Sequence, residues 1–423
     1  MGTSGETGVD IDRLTHHLRG LLPGGLAFLR RMVAINSHTL NREGVRRNAD
    51  LVQEAFGPLG FTYERIPAAD PAHGEHLILT REGGSAGTIW LVTHLDTVYP
   101  PELEARCHFG WEETGDRIYG PGVVDIKGGT MMIHLVLSAL KDMFPAAFER
   151  VTWKIGANAC EEVLPPDFSR LVIEKNCERS DNRPGSEVLA ILVFEPGAVC
   201  GDEFTYVTTR MGKAEFVVSA MGRSAHGGRP HHGANAVVEL ADAITKLHAL
   251  NDHSCGKLCN VGVVAGGTAV NVVPALSEAR VEVRAGTPDS LREMIDAVLA
   301  LRGPGSVVSP ADGFRCQVDV HKSLETAPMP ENPGTARLFG LWQNAARLAG
   351  GRAVGECRGG LSDANFFWHH RPTLDGLGAP GGNLHCAERG EGREPEYLDV
   401  PSIVPKAVIN TLAILDLINK ETP

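Results

Sequence analysis

The sequence predicts an α/β protein in which one α/β domain is split by an inserted α+β domain. Short apolar runs alternate with helical segments between Asp10 and Thr205, which is typical of layered α/β proteins. After Thr205 the strand-like segments alternate apolar and polar residues, as strands exposed on one face do. The length of 423 residues also exceeds one ordinary core, because a domain averages about 150 residues.

The first part of the chain is predicted to alternate helices with buried strands. The predicted helices are Asp10–Ala34, which we expect to be interrupted near Pro23, then Asn41–Phe56, which stops at Gly57-Pro58, and Gly128–Met143. The predicted strands are Leu77–Thr80, Ile89–Val92, Val151–Ala157 and Leu189–Val193. This order favours a central sheet covered by helices.

The middle of the chain follows the order β-α-β-β-α-β of a ferredoxin-like unit. Its predicted elements are Lys213–Ala220, Ala234–Leu250, Val261–Val264, Glu278–Arg284, Pro288–Leu301 and Cys316–His321. Helical sequence resumes at Ala336–Leu348 and again at Val404–Leu417. We therefore predict a first domain made of residues 1–206 and 325–423, and an inserted domain of residues 207–324.

Composition narrows the class of partner and the compartment. The formal net charge of −12 argues against nucleic acid or an anionic membrane as the main partner. Met1–Asp10 lacks the basic and apolar segments of a signal peptide, and no apolar run approaches the ~20 residues of a bilayer span. Nine cysteines without a framework favour a reducing cytoplasm.

The most informative motif is Thr93–Val98, which follows the apolar run Thr88–Val92. Residues two apart on a strand face the same way, so His94 and Asp96 project together from its carboxyl end. Open α/β sheets build their sites at that end, and a histidine beside a carboxylate suits metal ligation. Taken alone, the pair is equally compatible with a solvated strand end.

Further acids and a histidine occur at ends of predicted elements. Asp125 stands in the glycine-rich stretch Gly120–Gly129, where it could bridge two cations or simply cap the following helix. Glu161 and Glu162 follow a strand as an acidic pair, which is costly to gather without a cation unless the turn is solvated. Glu195 closes another strand, and His385 follows a glycine-rich loop.

Together, the ordered segments HLDTV, GPGVVDIKGG, EE, EPG and NLH resemble the M20 family of metallopeptidases. That family contains glutamate carboxypeptidases, aminoacylases and succinyl-diaminopimelate desuccinylases. Further landmarks are Gly222–His226, Asn271–Pro274, Arg284 and Gly359–Ala364, so the resemblance runs from about Leu14 to the C-terminus. It implies a zinc-exopeptidase-like α/β/α catalytic domain with an inserted ferredoxin-like lid and dimerisation domain.

The resemblance also implies roles for individual residues. Two Zn²⁺ ions per subunit, replaceable by Co²⁺ or Mn²⁺, would be held by His94 and Glu195, by Glu162 and His385, and by a bridging Asp125. Asp96 would orient His94, and Glu161 would be the general base. His226, Asn271, Arg284 and Gly360 of the glycine-rich loop would bind the substrate. The peptide bond after Asp125 is expected to be cis.

The expected activity is dizinc-dependent hydrolysis of an amide bond that releases a C-terminal amino acid from a small peptide. The nearest alternative is a deacylase of N-acyl amino acids, and a non-catalytic metal or ligand binder is a third, less favoured class. A phosphate site is disfavoured because the sequence has no G-x4-G-K-[ST] loop. Cys160 and Leu164-Pro165-Pro166 depart from the family pattern beside the base, which bears on substrate shape. Glu282 stands at a position where the family frequently has aspartate. A homodimer through the inserted domain is expected by resemblance.

Overall fold

The computed structural model describes residues 9–84, 86–177, 187–390 and 392–420. Residues 1–8, on which most of the signal-peptide prediction depends, lie outside this range. The chain forms two compact units. The first comprises residues 1–208, 331–356 and 362–423, and the second comprises residues 209–330 and 357–361.

The helices are α1 (Ile11–Val33), α2 (Arg42–Phe56), α3 (Pro101–Cys107), α4 (Lys127–Met143), α5 (Pro145–Arg150), α6 (Asp167–Cys177), α7 (Ala236–His248), α8 (Pro288–Leu299), α9 (Pro333–Leu348), α10 (Ala364–Phe367) and α11 (Ile403–Lys420). The strands are β1 (Thr62–Pro67), β2 (Glu75–Arg81), β3 (Thr88–His94), β4 (Glu112–Thr114), β5 (Arg117–Tyr119), β6 (Thr152–Asn158), β7 (Val188–Val193), β8 (Val199–Cys200), β9 (Glu203–Arg210), β10 (Gly212–Met221), β11 (Leu258–Gly266), β12 (Leu276–Ala285), β13 (Gly303–Val308), β14 (Arg315–Thr326), β15 (Arg352–Arg358), β16 (Thr373–Leu374), β17 (Gly381–Gly382) and β18 (Tyr397–Asp399).

The first unit is built on a six-stranded sheet in the order β1-β2-β6-β3-β7-β16. Strands β6, β3, β7 and β16 run parallel, while β1 and β2 add an antiparallel edge. Every residue of β3, β6 and β7 is buried, as expected for parallel strands covered on both faces. The apolar runs in the sequence therefore mark the centre of the sheet.

Helices cover both faces of this sheet. The main core joins β3 residues Ile89 and Leu91 to helices α1, α4, α9 and α11. On the opposite face, Trp90 of β3 lies near Phe168 of α6, because a side chain added at Gly156 would meet both rings. Alternate residues of one strand thus face opposite helical layers, and the predicted α/β/α arrangement is confirmed.

Two features of the first unit differ from the sequence expectation. Helix α1 runs without interruption through Pro23, so the predicted break there is wrong. Pro23 is exposed, which leaves the carbonyl that loses its donor on the solvent side, while buried Leu18 and Phe28 hold the helix against the core. Strand β1 was not predicted, because its sequence Thr62–Pro67 is polar and mostly exposed.

The second unit is a five-stranded antiparallel sheet in the order β11-β12-β10-β14-β13. Strand β10 buries alternate residues, and its inward side chains pack with helices α7 and α8 in a separate core. Edge strand β13 adds a fifth strand to the four that were predicted. It was not predicted because its sequence Gly303–Val308 is rich in glycine and lacks a clear apolar alternation.

The second unit also takes in Cys357–Leu361, which the linear division of the sequence assigned to the first domain. Hydrogen bonds explain this grouping. Arg210 Nη1 donates to the carbonyl oxygens of Gly360 and Leu361, at 2.8 and 3.1 Å. Arg284 Nη1 donates to Gly359 O at 2.8 Å.

The expectation that no apolar run approaches membrane-spanning length is wrong for one segment near the C-terminus. Among the described residues, Val400–Lys420 is long and apolar enough to cross a bilayer, with a mean hydropathy of 1.4. However, 83% of its apolar window is buried inside the protein. Within it, α11 packs against α1, α4 and α9, so its apolar character serves the core of the first unit.

Candidate active site

Three neighbouring parallel strands bring predicted site residues to one edge of the six-stranded sheet. His94 is the last residue of β3. Glu161 follows β6, and Glu195 follows β7, and these two strands flank β3. Because the carboxyl ends of parallel strands meet at the same edge, side chains far apart in the sequence converge there.

Asp125 lies in a tight loop between β5 and α4. The loop depends on Gly122, which adopts φ +71°, and a side chain there would come within 2.6 Å of Thr97. Glycine therefore allows the loop to approach the segment that follows β3. The Asp125–Ile126 peptide bond is cis, as the resemblance implied.

Asp125 lies between two histidines. Its Oδ1 is 3.2 Å from His94 Nε2, and its Oδ2 is 3.3 Å from His385 Nε2. On the first side, Glu195 Oε1 is 3.7 Å from His94 Nε2. On the second side, Glu162 Oε2 is 3.3 Å from His385 Nε2. The donor atoms therefore form two sets that share one aspartate.

Asp96 orients the first histidine and also holds the segment of the acidic pair. His94 Nδ1 lies 3.3 Å from Asp96 Oδ1. The same carboxylate accepts hydrogen bonds from the backbone N–H groups of Glu161 and Glu162, at 3.0 and 3.3 Å. Thr39 Oγ1 donates to Asp96 Oδ2 at 2.6 Å. One buried carboxylate thus sets the position of three other site residues.

The proton on His94 can be assigned from its partners. Its Nδ1 faces the backbone oxygen of Asp96 at 3.0 Å and the carboxylate of the same residue, which are both acceptors. Nδ1 therefore carries the hydrogen of the neutral ring, and Nε2 presents its lone pair to Asp125. Two acceptors facing each other need a proton or a cation between them.

The charges of the cluster strongly perturb its ionisation. Burial opposes the charged form of His94, yet hydrogen bonds with Asp125 and Asp96 raise its pKa well above the usual value. Hydrogen bonds to Asp125 and Glu162 raise the pKa of His385 to about 11. Burial, reinforced by the charges of the other glutamates, raises the pKa of the Glu161 carboxyl. Burial and the charge of Asp125 raise the pKa of Glu162 to about 7.

This donor set fits divalent cations. Carboxylates outnumber histidines in the cluster, and such acids are costly to bury together unless positive charge is placed among them. In addition, Glu162 Oε1 is buried and has no hydrogen-bond partner among the described residues. Mixed imidazole and carboxylate donors suit zinc, and cobalt or manganese can use the same ligands.

A separate group of potential metal ligands, His76, Cys160 and Asp167, lies in the first unit. The Ala159 N–H donates to His76 Nδ1 at 3.1 Å, so the neutral ring carries its hydrogen on Nε2. That nitrogen lies 3.2 Å from Asp167 Oδ2 and donates to it. Burial raises the pKa of the Cys160 thiol. We interpret this group as a hydrogen-bonded cluster that supports the end of β6.

The remaining predicted site residues lie in the second unit, where they fall in two places. His226 and Asn271 are neighbours: residue 226 forms a bridge with Val272, and the Gly227 N–H donates to Asn271 O at 2.7 Å. Both side chains are exposed. Gly228 N–H donates to His226 Nδ1 at 3.0 Å, so the neutral ring keeps its hydrogen on Nε2, for which the described part of the chain offers no acceptor.

Arg284 and the loop of Gly360 form the second cluster of predicted substrate-binding residues in this unit. Arg284 Nε and Nη2 each lie 3.1 Å from an oxygen of Glu282, in a two-point ion pair on β12. Its remaining terminal nitrogen donates to Gly359 O. Gly360 O accepts from the buried Arg210. The predicted carboxylate-binding arginine therefore already has an acidic partner within its own unit.

Sequence reasoning missed several residues that support the site. Thr39 and Tyr99 carry no motif that distinguishes them from other polar residues, and Glu396 stands in an ordinary acidic segment. Asn158 was assigned to no role, although its Nδ2 donates to both oxygens of the buried Asp363, at 3.1 and 3.2 Å. The only signal in the sequence was that Asp363 stands in the landmark segment Gly359–Ala364.

Comparisons with known proteins show which proteins the chain resembles. Residues 208–305 match the model of the peptidase dimerisation domain of the M20 group. The chain is 27% identical over 398 residues to carboxypeptidase G2 of a Pseudomonas species, covering 93% of this chain and 89% of that protein. It is 29% identical over 331 residues to succinyl-diaminopimelate desuccinylase of Dinoroseobacter shibae, covering 72% and 78% of the two chains.

A solved structure supports the fold. The crystal structure of aminopeptidase PepT from Bacillus cereus superposes with a TM-score of 0.70 at 19% identity, covering 97% of this chain and 99% of that one. At this identity the likeness concerns the architecture alone. The matches to the two sequence relatives, in contrast, extend over 89% and 78% of those proteins, which are named as a carboxypeptidase and a desuccinylase.

Proposed function

The chain belongs to the M20 family of metal-dependent hydrolases of peptide and amide bonds, and from this premise we propose that it is a dizinc carboxypeptidase. Its substrate would be a small peptide from which it releases the C-terminal amino acid. The observation that carries the proposal is the pair of donor sets that share Asp125, one around His94 and one around His385. Bridged sets of this kind suit two-metal hydrolysis.

In this proposal His94 and Glu195 would hold the first ion, Glu162 and His385 would hold the second, and Asp125 would serve both. Bound there, divalent ions would supply Lewis-acid polarisation of the scissile carbonyl and a water molecule of lowered pKa. Asp96 keeps His94 Nδ1 protonated, so that Nε2 faces the centre.

Glu161 is the proposed general base. Its backbone N–H donates to Asp96, and its carboxylate Oε2 lies 3.9 Å from His94 Nε2. The carboxylate takes a proton from the attacking water and returns it to the nitrogen of the leaving amine. Glu161 is only 6% exposed, so this proton transfer would take place at a buried carboxylate.

Residues of the second unit are proposed to bind the substrate. His226 has a free Nε2–H donor, which suits stabilisation of the tetrahedral oxyanion, and Asn271 lies beside it. The planar fork of Arg284 suits a substrate carboxylate. Because Arg284 is paired with Glu282, the substrate carboxylate would either displace Glu282 or share the guanidinium with it. The loop of Gly360 lies beside this arginine, since Arg284 donates to Gly359 O.

A panel of substrates tests this proposal and separates it from deacylation, which the similarity to a desuccinylase keeps as the second candidate. Zinc-loaded protein is assayed with dipeptides and with N-acetyl and N-succinyl amino acids, before and after treatment with a chelator. We expect chelator-sensitive cleavage of dipeptides. Cleavage restricted to the N-acyl compounds would identify a deacylase, and no chelator-sensitive cleavage of any amide would leave only a non-catalytic binder.

A homodimer through the second unit is also proposed, in line with the matched dimerisation domain. Strand β11 is an end strand of its sheet, and its Val263 and Val264 are 55% and 57% exposed. Val237 of α7 would touch a side chain placed at Gly266, the last residue of β11. An exposed apolar end strand beside exposed helix residues is a ready surface for pairing with a second copy.

We expect Val264→Arg to reduce the mass in solution from a dimer to the 45.3 kDa monomer, because a buried, unpaired arginine at the contact is costly. Light scattering after size exclusion measures this. Tyr63→Arg is the matched control, since Tyr63 is 54% exposed on β1, the end strand of the first unit. A Val264→Arg protein that stays dimeric would place the contact elsewhere. Activity of the monomer would show that His226 acts within its own subunit.

A cytoplasmic location is the corresponding proposal for the compartment. The cysteines whose side chains the structure describes are all free thiols, which suits reducing conditions. The net charge of −12 supports small substrates over nucleic acid as partners.

A further inference from the structure

A buried carboxylate outside the ligand set contacts the loop of the bridging aspartate. Glu396 is fully buried. Its Oε1 accepts hydrogen bonds from the backbone N–H groups of Val124 and Asp125, both at 2.9 Å. Its Oε2 accepts a hydrogen bond from the Tyr99 hydroxyl at 2.6 Å. The carboxylate is thus held by three neutral donors.

The same residue reaches the loop of the second histidine. Glu396 N–H donates to Cys386 O at 2.8 Å, next to His385 in the chain, and Gly120 N–H donates to Glu396 O at 3.4 Å. The Tyr99 hydroxyl lies 3.5 Å from Cys386 O. Tyr99 itself follows the segment of His94 and Asp96. Glu396 and Tyr99 therefore connect three of the segments that carry proposed metal ligands, those of His94, Asp125 and His385.

Among the described residues Glu396 has no cationic hydrogen-bond partner. Burying such an acid in a core is costly, and an apolar residue of similar volume would avoid that cost. Its three hydrogen bonds explain why a carboxylate is needed here. Two adjacent backbone N–H groups donate to one oxygen of Glu396, and an apolar side chain at this position would leave both N–H groups without an acceptor. The bonds fix the backbone at Asp125, and through it the direction of both carboxylate oxygens toward His94 and His385.

We propose that Glu396, locked by Tyr99, is a positioning residue that holds Asp125 in its bridging orientation and couples its loop to the loop of His385. This inference depends on the proposed dizinc function. Groups that orient metal ligands from outside the ligand set typically change metal affinity by about 10- to 100-fold when they are removed. The effect should therefore be measurable on binding itself, separately from turnover.

The test compares zinc affinity, measured by competition with a chromophoric chelator, in wild type and in the Glu396→Ala, Glu396→Gln and Tyr99→Phe proteins. We expect Glu396→Ala to bind zinc about 10- to 100-fold more weakly and Tyr99→Phe to show a smaller loss. Glu396→Gln should bind nearly as wild type, because the amide oxygen still accepts from the two N–H groups and its NH₂ can donate to the Tyr99 oxygen.

Glu239→Ala is the matched control for loss of a buried acid. Glu239 is 3% exposed in the second unit, and its Oε2 accepts from Val307 N–H at 2.7 Å. The unfolding temperature of each metal-free protein separates folding from positioning. A loss of zinc affinity in Glu396→Ala, rescued by Glu396→Gln and not seen in Glu239→Ala, supports the inference.

Two results would overturn the inference. One is wild-type zinc affinity in both Glu396→Ala and Tyr99→Phe, and the other is an equal loss in Glu239→Ala. If Glu396→Ala does not fold, the other two variants still test the inference. Unchanged zinc affinity in Tyr99→Phe, or a complete loss of zinc binding in Glu396→Gln, contradicts the proposed hydrogen bonds. Failure of the dizinc function itself is distinguishable, because wild type would then bind fewer than two zinc ions per chain.

Discussion

Replacing Glu161 with glutamine is expected to abolish most hydrolysis while leaving zinc binding intact. The amide keeps the shape of the side chain but cannot take a proton from water. General acid–base groups contribute factors of about 10² to 10⁴ to the rate, so kcat should fall by that amount while KM changes little. Steady-state kinetics on the best substrate of the panel, with zinc content measured on the same sample, checks the result.

The adjacent acid provides the contrast. Glu162 lies 3.3 Å from His385 Nε2 and belongs to the second donor set, so Glu162→Gln should lose zinc as well as activity. If the Glu161→Gln protein loses zinc, Glu161 is a metal ligand and not the general base. If it retains full activity, Glu161 is not the general base. The comparison is sharp because both residues share one turn after β6 and one anchoring carboxylate, Asp96.

The second large effect is expected at Asp125. In Asp125→Asn, one of the two oxygens becomes an NH₂ group, which cannot ligate a cation and instead faces His94 or His385. The bridge is lost, so the protein should retain at most one tightly bound zinc ion, and hydrolysis should fall by at least about 100-fold. Zinc content after dialysis against limiting metal, together with the rate, measures both changes.

Asp116→Asn serves as the control for this prediction, since Asp116 is exposed in the turn between β4 and β5 and its backbone oxygen, not its side chain, accepts the hydrogen bond from Val400 N–H. We expect Asp116→Asn to bind two zinc ions and to turn over as wild type. Two tightly bound ions in Asp125→Asn would mean that the donor sets do not share this residue. The dizinc mechanism would then need a different bridge.

Much of the fold could be predicted because local patterns reflect burial. Strands β3, β6 and β7 are buried along their whole length, and their uninterrupted apolar runs identified them. Edge strands β1 and β13 escaped prediction, because an edge position permits polar residues, glycine and exposure. The helix through Pro23 escaped for the opposite reason, since packing of the flanking turns outweighed the local cost of proline.

The candidate site divides in the same way. Residues that stand in motifs at strand ends, such as His94 and Glu195, could be named from the sequence. Thr39, Tyr99 and Glu396 could not, because their importance lies in hydrogen bonds to distant segments. The ion pair between Arg284 and Glu282 was also invisible, although the two residues lie on the same side of one strand.

The sequence by itself determined which elements form and which acids and histidines stand at their ends, since these follow from the periodicity of burial and from the chemistry of single residues. The tertiary structure alone decided that β6, β3 and β7 are neighbours, and therefore that Glu161, His94 and Glu195 meet. It also decided that Asp125 presents one oxygen to each histidine. The physical reason is that strand order and loop direction are set by long-range packing and hydrogen bonds, which no local pattern records.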